Sequence, residues 1–313
     1  MKRLKSPRCI LVILFLMAGV SFLLFYDFPK STSRIIEEIT SFGHLPLFGV
    51  VALVCFWVLS QASSVYESYF KSWIITCLIG VLTEYIQLLI PYRHFRLGDM
   101  YTDALGAAVF LTLLFTIKNG LRYRYVVFMI YGLSLLVLMR AYPIFEVTVD
   151  TWNMKSSFPI LSSFESPFDL SRFADKDKAM DRVELHATEG KYSLKVTLNP
   201  GEYPGISMDY LQNDWRGYRI LSFDTFVEGY APLEITVRVN DRKHNNEFTD
   251  RFNKSLQLLP GTNHITIDLK DIMKAPKGRV MDMAEITNIC IFAYRLKGQR
   301  TVYFDNFRLE GRG

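Results

Sequence analysis

The sequence predicts an α-helical membrane bundle of about five transmembrane helices, residues 1–145, followed by an all-β sandwich or jelly roll, residues 146–313. Three observations carry this. Half of the 313 residues are apolar, too many for an ordinary soluble chain, and the length suits two domains. Charge is uneven: residues 1–145 hold 13 Lys/Arg against 7 Asp/Glu, while the remaining 168 hold 23 against 24. After Phe145 the pattern changes from long uncharged runs to short alternating ones.

The basic excess therefore belongs to the apolar half. No basic stripe marks the polar half, which argues against nucleic acid as a partner. Cys9, Cys55 and Cys77 lie in or beside apolar runs and Cys290 stands alone. That excludes a disulfide scaffold, and no spacing suits zinc.

Residues 9–26 carry no charge at all and follow Lys2, Arg3, Lys5 and Arg8. The run can cross a bilayer core of about 30 Å. No small-x-small site follows it cleanly and four more apolar stretches come after, so it reads as an uncleaved first span rather than a signal peptide. The next spans are 45–66, 72–90 (one charge, Glu84), 104–117 (extended outward through Thr102 and Tyr101), and 125–145 (interrupted by Arg140). With the N-terminus inside, cytoplasmic segments hold Lys2, Arg3, Lys5, Arg8, Lys71, Lys118, Arg122 and Arg124. The outside loops hold Lys30, Arg34, Arg93 and Arg96. This asymmetry predicts N-in, and five spans then put the C-terminal half in the periplasm or outside the cell.

Glu84 needs an explanation. A carboxylate at a helix centre costs roughly 2.5–3.5 kcal/mol on insertion scales. It lies about 9 Å below Ile90, near the outer end of its span, with Gln87 on the same face. Pro91 ends the helix. Arg93, Arg96 and Asp99 follow, and Asp103 is four residues beyond Asp99. Gly106 and Ala107 offer a small-residue face for close helix packing. His44 stands at the outer start of the second span. These polar groups share one level, the outer rim. Two readings stand: structural ion pairs stapling helices, or a functional site.

Glu84, Gln87, Pro91, Arg93 and Asp99, followed by the Asp103–Gly106 step, resemble the VanZ-like membrane family over roughly residues 10–140. That family's pattern is Glu-x-x-Gln, a Pro-x-Arg loop, an Asp, then Asn-x-x-Gly. An upstream His before an apolar helix, here His44, is also typical. Asp103 departs from the pattern, standing where the family usually has Asn. The resemblance implies an envelope protein, and the family's founding association is with resistance to the glycopeptide antibiotic teicoplanin. On this basis the candidate catalytic residues are Glu84, Gln87, Arg93, Asp99, Asp103 and His44. Glu84 would act as base, and Arg93 and Arg96 would hold a phosphate or carboxylate, Arg96 as a substrate ligand. No nucleophile motif, phosphate loop or metal triad accompanies them, so whether the protein is an enzyme stays open.

In the polar half, residues 191–198, 220–227, 233–239, 264–269, 286–294 and 301–309 read as strands separated by turn residues, among them Pro260 and Gly261. Residues 241–252 are too polar for a core strand and read as a loop or edge. Ser163 to Glu165, Thr188 to Leu194, and Val302 to Leu309 resemble carbohydrate-binding modules of the galactose-binding-like jelly-roll type. That resemblance implies a structural Ca²⁺ held by Glu165 and Asp305 with backbone oxygens near Gly190 and Lys191, oxygen ligation suiting calcium. The alternative is that Asp305 and Asn306 form a bend in the last strand. For sugar binding, Trp215, Tyr218 and Tyr203 near turns, and the polar stretch Arg238, Asn240, Asp241, Arg242, His244 and Arg251, supply the needed types. Trp215, Arg238, Asp241 and Arg242 are the candidate substrate ligands. Aromatics are equally common in sandwich cores.

The function expected is a multi-pass protein of the bacterial cytoplasmic membrane. Its outward module holds glycan while the membrane site acts on, or shields, a lipid-linked or polysaccharide envelope substrate. Membrane lipid and envelope glycan or lipid-linked saccharide are the expected partners. The rival is a non-catalytic anchor presenting a carbohydrate-binding module. A transporter is disfavoured by the lack of an inverted repeat.

Overall fold

The computed structural model describes residues 18–19, 34–89, 97–121, 123–175 and 180–311. The chain divides into two compact units, Met1–Phe145 and Glu146–Gly313.

The first unit is helical: α1 (Arg34–Leu59), α2 (Val65–Gln87), α3 (Leu97–Asn119) and the part up to Phe145 of α4 (Arg124–Ser157). All four are long and apolar enough to cross a membrane. At 1.5 Å per residue the 23-residue helices reach about 35 Å, more than a hydrocarbon core of about 30 Å. Leu78, Leu82, Leu113, Phe128, Leu135 and Leu138 point outward, an apolar surface that a lipid environment would satisfy.

Two differences from the expected spans have local causes. α1 begins at Arg34 rather than near Leu45, because Ile35, Ile36 and Ile39 extend the apolar face and Glu37 in the first turn suits the helix dipole. His44 therefore sits inside α1, buried, rather than at its start. α4 runs on to Ser157, past the apolar stretch that suggested it. The expected first span, 9–26, lies outside the described residues apart from Ala18 and Gly19.

Helices α1 and α3 meet at backbone distance. A Cβ on Gly106 would stand 2.1 Å from the Leu45 carbonyl oxygen, so only glycine permits this approach. One level along, Ala52 and Phe56 pack on Ala107 and Leu111. The Trp73 indole N–H donates to the Ala104 carbonyl, 3.1 Å away, tying α2 to α3.

The second unit is a two-sheet antiparallel β-sandwich. Its strands are β1 (Ile160–Ser162), β2 (Phe173–Asp175), β3 (Met180–Val183), β4 (Ser193–Leu198), β5 (Gly205–Met208), β6 (Ile220–Val227), β7 (Leu233–Asp241), β8 (Phe252–Leu258), β9 (Gly261–Asp268), β10 (Ile286–Phe292) and β11 (Arg300–Glu310), with a short helix α5 (Leu269–Lys274) after β9. One sheet runs β3-β4-β11-β6-β9, with β1 also paired to β11; the other runs β2-β5-β10-β7-β8.

Alternation decides which face is core. On β7, Leu233, Ile235, Val237 and Val239 are buried while Glu234, Thr236 and Arg238 take the other face. On β11 the register shifts between Asp305 and Arg308, and Asn306 takes φ +57°, a conformation asparagine tolerates. The irregularity places Phe304 and Phe307, three apart, both in the core. The expected strand bend at Asp305 and Asn306 is therefore present as a bulge. Of the stretch 241–252, Asp241 ends β7 and Phe252 opens β8, and residues 242–251 between them form a loop with a single 3₁₀ turn, Phe248–Asp250. Strand β8 was not anticipated, because Phe252-Asn-Lys-Ser-Leu-Gln-Leu buries only its two ends.

Arg172 is 1% exposed and is held by Asp150 at 2.7 Å and Asp169 at 3.1 Å, with a bond to the Leu161 carbonyl. A buried charge satisfied on this many sides can be retained; losing one partner is what makes it costly.

Candidate functional site

The helical unit gathers its polar side chains at one level. From α1 come Glu38, Ser41 and His44; from α2, Glu84 and Gln87; from α3, Asp99, Thr102 and Asp103; from α4, Arg140. Ser41, His44, Glu84, Gln87, Asp99, Thr102 and Asp103 are all buried. His44 Nδ1 lies 2.9 Å from Asp103 Oδ1, and the imidazole stacks on Phe48. Glu84 and Asp99 lie within electrostatic reach of His44. The second oxygen of Asp103 makes no hydrogen bond among the described residues. It lies against Gly80, where a Cβ would come within 2.7 Å of it.

Arg140 completes the group. Its Nε donates to Thr102 Oγ1 at 2.7 Å and its terminal nitrogen to the Ser41 hydroxyl. Ser41 donates in turn to Asp99. Asp99 and Glu38 each stand 3.9 Å from the guanidinium. Sequence reasoning treated Arg140 only as a break in a span. The cost argument applied to Glu84 holds equally for an arginine in an apolar helix and would have singled it out. The structure thus brings together His44, Glu84, Asp99 and Asp103, with Gln87 buried three residues along α2 from Glu84. Arg93 and Arg96 lie outside the described residues. A histidine paired with one carboxylate and close to a second can move protons; the same bonds also cross-link α1, α3 and α4.

In the sandwich a groove of about 690 Å³ opens on the outward face of the β2-β5-β10-β7-β8 sheet. The alternation that buries Leu233 to Val239 turns Glu234, Thr236 and Arg238 into it. Register then sets Asn253 beside Arg238 and Ser255 beside Thr236 from β8, and Cys290 beside Arg238 from β10. Phe292 ends β10, while Tyr203, Tyr294, Phe248 and Arg251 close in from loops. Tyr203 and Tyr294 are about half exposed, their ring centres 5.3 Å apart. The Arg238 guanidinium lies 4.7 Å from the Phe292 ring centre, a cation–π distance. Burial first, and then the charge of Arg251, hold the Arg238 pKa below its ordinary value.

Of the expected sugar ligands, only Arg238 lines this groove. Trp215 is fully buried in the core, its indole N–H donating to the Gln212 carbonyl at 2.8 Å. Its ring offers no face to solvent because the sandwich needs its volume. Asp241 is buried too, bonded by Arg279 at 2.6 and 2.8 Å and by the Asp282 amide at 2.7 Å. Arg242 pairs with Glu285 at 2.8 Å. Both stand where β7 ends, away from the lining. Sequence reasoning put Tyr203 and Arg251 among its possible sugar contacts but did not select them. It did not reach Phe248, Phe292 and Tyr294, which come from separate loops and strand ends that only the fold joins.

The expected calcium ligands are placed as follows. Glu165 Oε1 accepts the amides of Lys191 at 2.7 Å and Tyr192 at 2.9 Å. Asp305 Oδ2 accepts those of Thr188 at 2.7 Å and Glu189 at 3.1 Å. Burial first, offset in part by hydrogen bonds from Thr188 and Asn306, and then the charge of Asp224 beside it leave the Asp305 pKa raised to about 6. Among the described residues no group of three or more His, Cys, Asp or Glu is placed to hold a metal. A calcium here would take most of its oxygens from the backbone.

No protein-family model matches this sequence, and no curated protein does. Solved structures similar to it include the family 11 carbohydrate-binding module from Clostridium thermocellum in complex with a β-1,3-1,4-mixed-linked tetrasaccharide: 17% identity, 49% of this chain and 94% of that chain, TM-score 0.39. A family 30 carbohydrate-binding module of a cellulosomal cellulase of Clostridium thermocellum matches at 15% identity over 49% of this chain and 90% of that one, TM-score 0.34. A family 61 module in complex with β-1,4-galactotriose matches at 16% identity over 44% and 86%, TM-score 0.30.

Proposed function

We propose that this is a bacterial envelope membrane protein whose sandwich binds glycan in the groove of the β2-β5-β10-β7-β8 sheet, and whose helical cluster acts on or shields a lipid-linked or polysaccharide substrate. The observation that carries the reading is the groove itself: half-exposed Tyr203 and Tyr294 beside Arg238, Asn253 and Ser255 on an open sheet face. Aromatic faces can stack on sugar rings, and planar polar groups between them fix orientation. The sequence resemblance to VanZ-like proteins supports the membrane half of the proposal, with the N-terminus cytoplasmic and the sandwich outside.

The test is a glycan-array screen of the full chain in nanodiscs. Saturable binding to a glycan, abolished in Tyr203→Ala/Tyr294→Ala with Tm unchanged, is the expected result; a folded protein that binds no glycan overturns it. For the membrane half, Glu84→Gln should abolish any protection the chain gives a bacterial host against a glycopeptide antibiotic while accumulating normally. A structural calcium near Glu165 and Asp305 belongs to the same proposal, since a cation would relieve the buried Asp305 beside Asp224. Millimolar calcium should then raise Tm and a chelator lower it; an unchanged Tm removes the ion.

The cluster's hydrogen bonds between helices, from His44 to Asp103 and from Arg140 through Ser41 to Asp99, favour one second reading: a non-catalytic anchor whose polar groups only staple the helices. Full function after replacing residues 1–145 with a single unrelated span would support it.

A further inference from the structure

Several arginines of the sandwich pair with carboxylates, Arg216 with Asp214 and Arg308 with Glu189 among them. Arg172 holds Asp150 and Asp169, Arg242 holds Glu285, and Arg279 holds Asp241 and Asp250. The two of the groove do not. Arg251 makes no ion pair or hydrogen bond among the described residues, and its Nε is buried without an acceptor. Among the described residues Arg238 has one side-chain hydrogen bond, a long one of 3.3 Å from its Nε to Asn253 Oδ1. Both line the same groove, and both are partly buried.

Two guanidiniums on one partly buried face repel, and a buried donor without an acceptor is costly. Each is instead set by an aromatic ring, Arg238 over Phe292 at 4.7 Å and Arg251 over Phe248 at 5.8 Å. Stacking fixes the plane of the fork while leaving its N–H edge for a ligand. Glu234, the acid of the lining, is exposed and four residues along β7 from Arg238, about 13 Å in an extended strand, too far to neutralise either arginine. Anionic oxygens would supply the missing acceptors. The neighbouring Tyr203 and Tyr294 rings supply the surface a saccharide would cover.

We propose that the groove selects an anionic glycan, with Arg238 and Arg251 gripping its carboxylate, sulfate or phosphate oxygens while the aromatics take the sugar ring. This rests on the reading of the groove as a glycan site and names its ligand class. A planar fork binds a carboxylate or an oxyanion ester bidentately, so uronic-acid polymers and sulfated or phosphorylated glycans share the required chemistry.

The test is calorimetric titration of the full chain in nanodiscs with polygalacturonate, dextran sulfate and a neutral mixed-linked β-glucan. Binding to a charged polymer and not to the neutral one is expected, and it should weaken between 50 and 500 mM salt. Which charged polymer binds separates the carboxylate source from the ester. Arg251→Gln should lower affinity about tenfold or more with Tm unchanged. Arg251→Lys, which keeps the charge but not the fork, should recover it only in part. Arg216→Gln, whose arginine is already paired with Asp214 at 2.7 Å on the surface, should bind as wild type. Equal binding of the neutral glucan, indifferent to salt and to Arg251→Gln, leaves a glycan groove and overturns the anionic selection. Equal loss in Arg216→Gln and Arg251→Gln also overturns it, since the attraction would then be general surface charge. A folded protein that binds none of the three fails the glycan reading itself, and the inference with it.

Discussion

His44 of α1 and Asp103 of α3 are joined at 2.9 Å, both buried, and fifty-nine residues apart in sequence. The pair depends on the close crossing of the two helices at Gly106, three residues beyond Asp103. Asp103→Ala should strip His44 of its partner and destabilise the helical unit by about 1–3 kcal/mol, while Asp103→Asn retains an acceptor and costs less. Thermal unfolding in nanodiscs of both variants, His44→Ala and the double mutant reads this; strict additivity would mean that the two do not interact.

Gly106→Ala tests the crossing itself. The added methyl would meet the backbone of Leu45 rather than a side chain that can turn away. The helices must separate, loosening Ala52, Phe56, Ala107 and Leu111. Expected are a lower Tm and faster proteolysis within residues 34–121, with Gly132→Ala, where no atom lies within 4 Å, as a silent control.

Arg279 bridges Asp241, at the end of β7, and Asp250, in the loop before β8. Removing it leaves Asp241 a buried carboxylate with one amide donor. Arg279→Ala should therefore cost about 3 kcal/mol, read by denaturant unfolding of the full chain. The bond from Arg279, helped by the Asn245 amide, holds the Asp250 pKa down to about 2. A depressed carboxylate stabilises the fold above its ordinary pKa, and that contribution fades as pH falls from about 4 toward 2. The wild-type acid limb should show this loss and Asp250→Asn should not; identical acid limbs would remove Asp250 from the account.

Trp215 and Tyr294 are both aromatic and should fail differently. Trp215→Ala removes a fully buried side chain and should cost about 3–5 kcal/mol, with glycan binding lost only through unfolding. Tyr294→Ala should leave Tm within a degree or two and weaken binding. If the tryptophan variant stays as stable as wild type yet binds poorly, the core placement of that ring is wrong.

Much of the fold was legible because its signals are local. Uncharged runs announce helices, and the alternation from Leu233 to Val239 announces β7 and even turns Arg238 to the outward face. Asp305 and Asn306 were readable as a bend because asparagine tolerates the left-handed backbone found there. The start of α1 was not readable from the apolar run alone. Isoleucines on one face carry the helix through Glu37 and Glu38, and hydropathy registers only the acids.

The sequence by itself determined the apolar half, the alternating half, and the residue types available for chemistry: Glu84 by the cost of its burial, His44, Asp99 and Asp103 by their shared level and the resemblance, and Arg238 by its type in a polar stretch. Only the tertiary structure decided their company. Arg140 joins the cluster because α4 carries it to the level of Ser41 and Thr102. Trp215 and Asp241 leave the candidate sugar site because one fills the core and the other answers Arg279. Phe292 and Arg251 meet Arg238 because strand register and loop closure bring β8, β10 and β7 together. The physical reason is range: propensity and alternation act over a few residues, whereas a binding surface is made of side chains far apart in sequence, whose neighbours exist only once the backbone is paired.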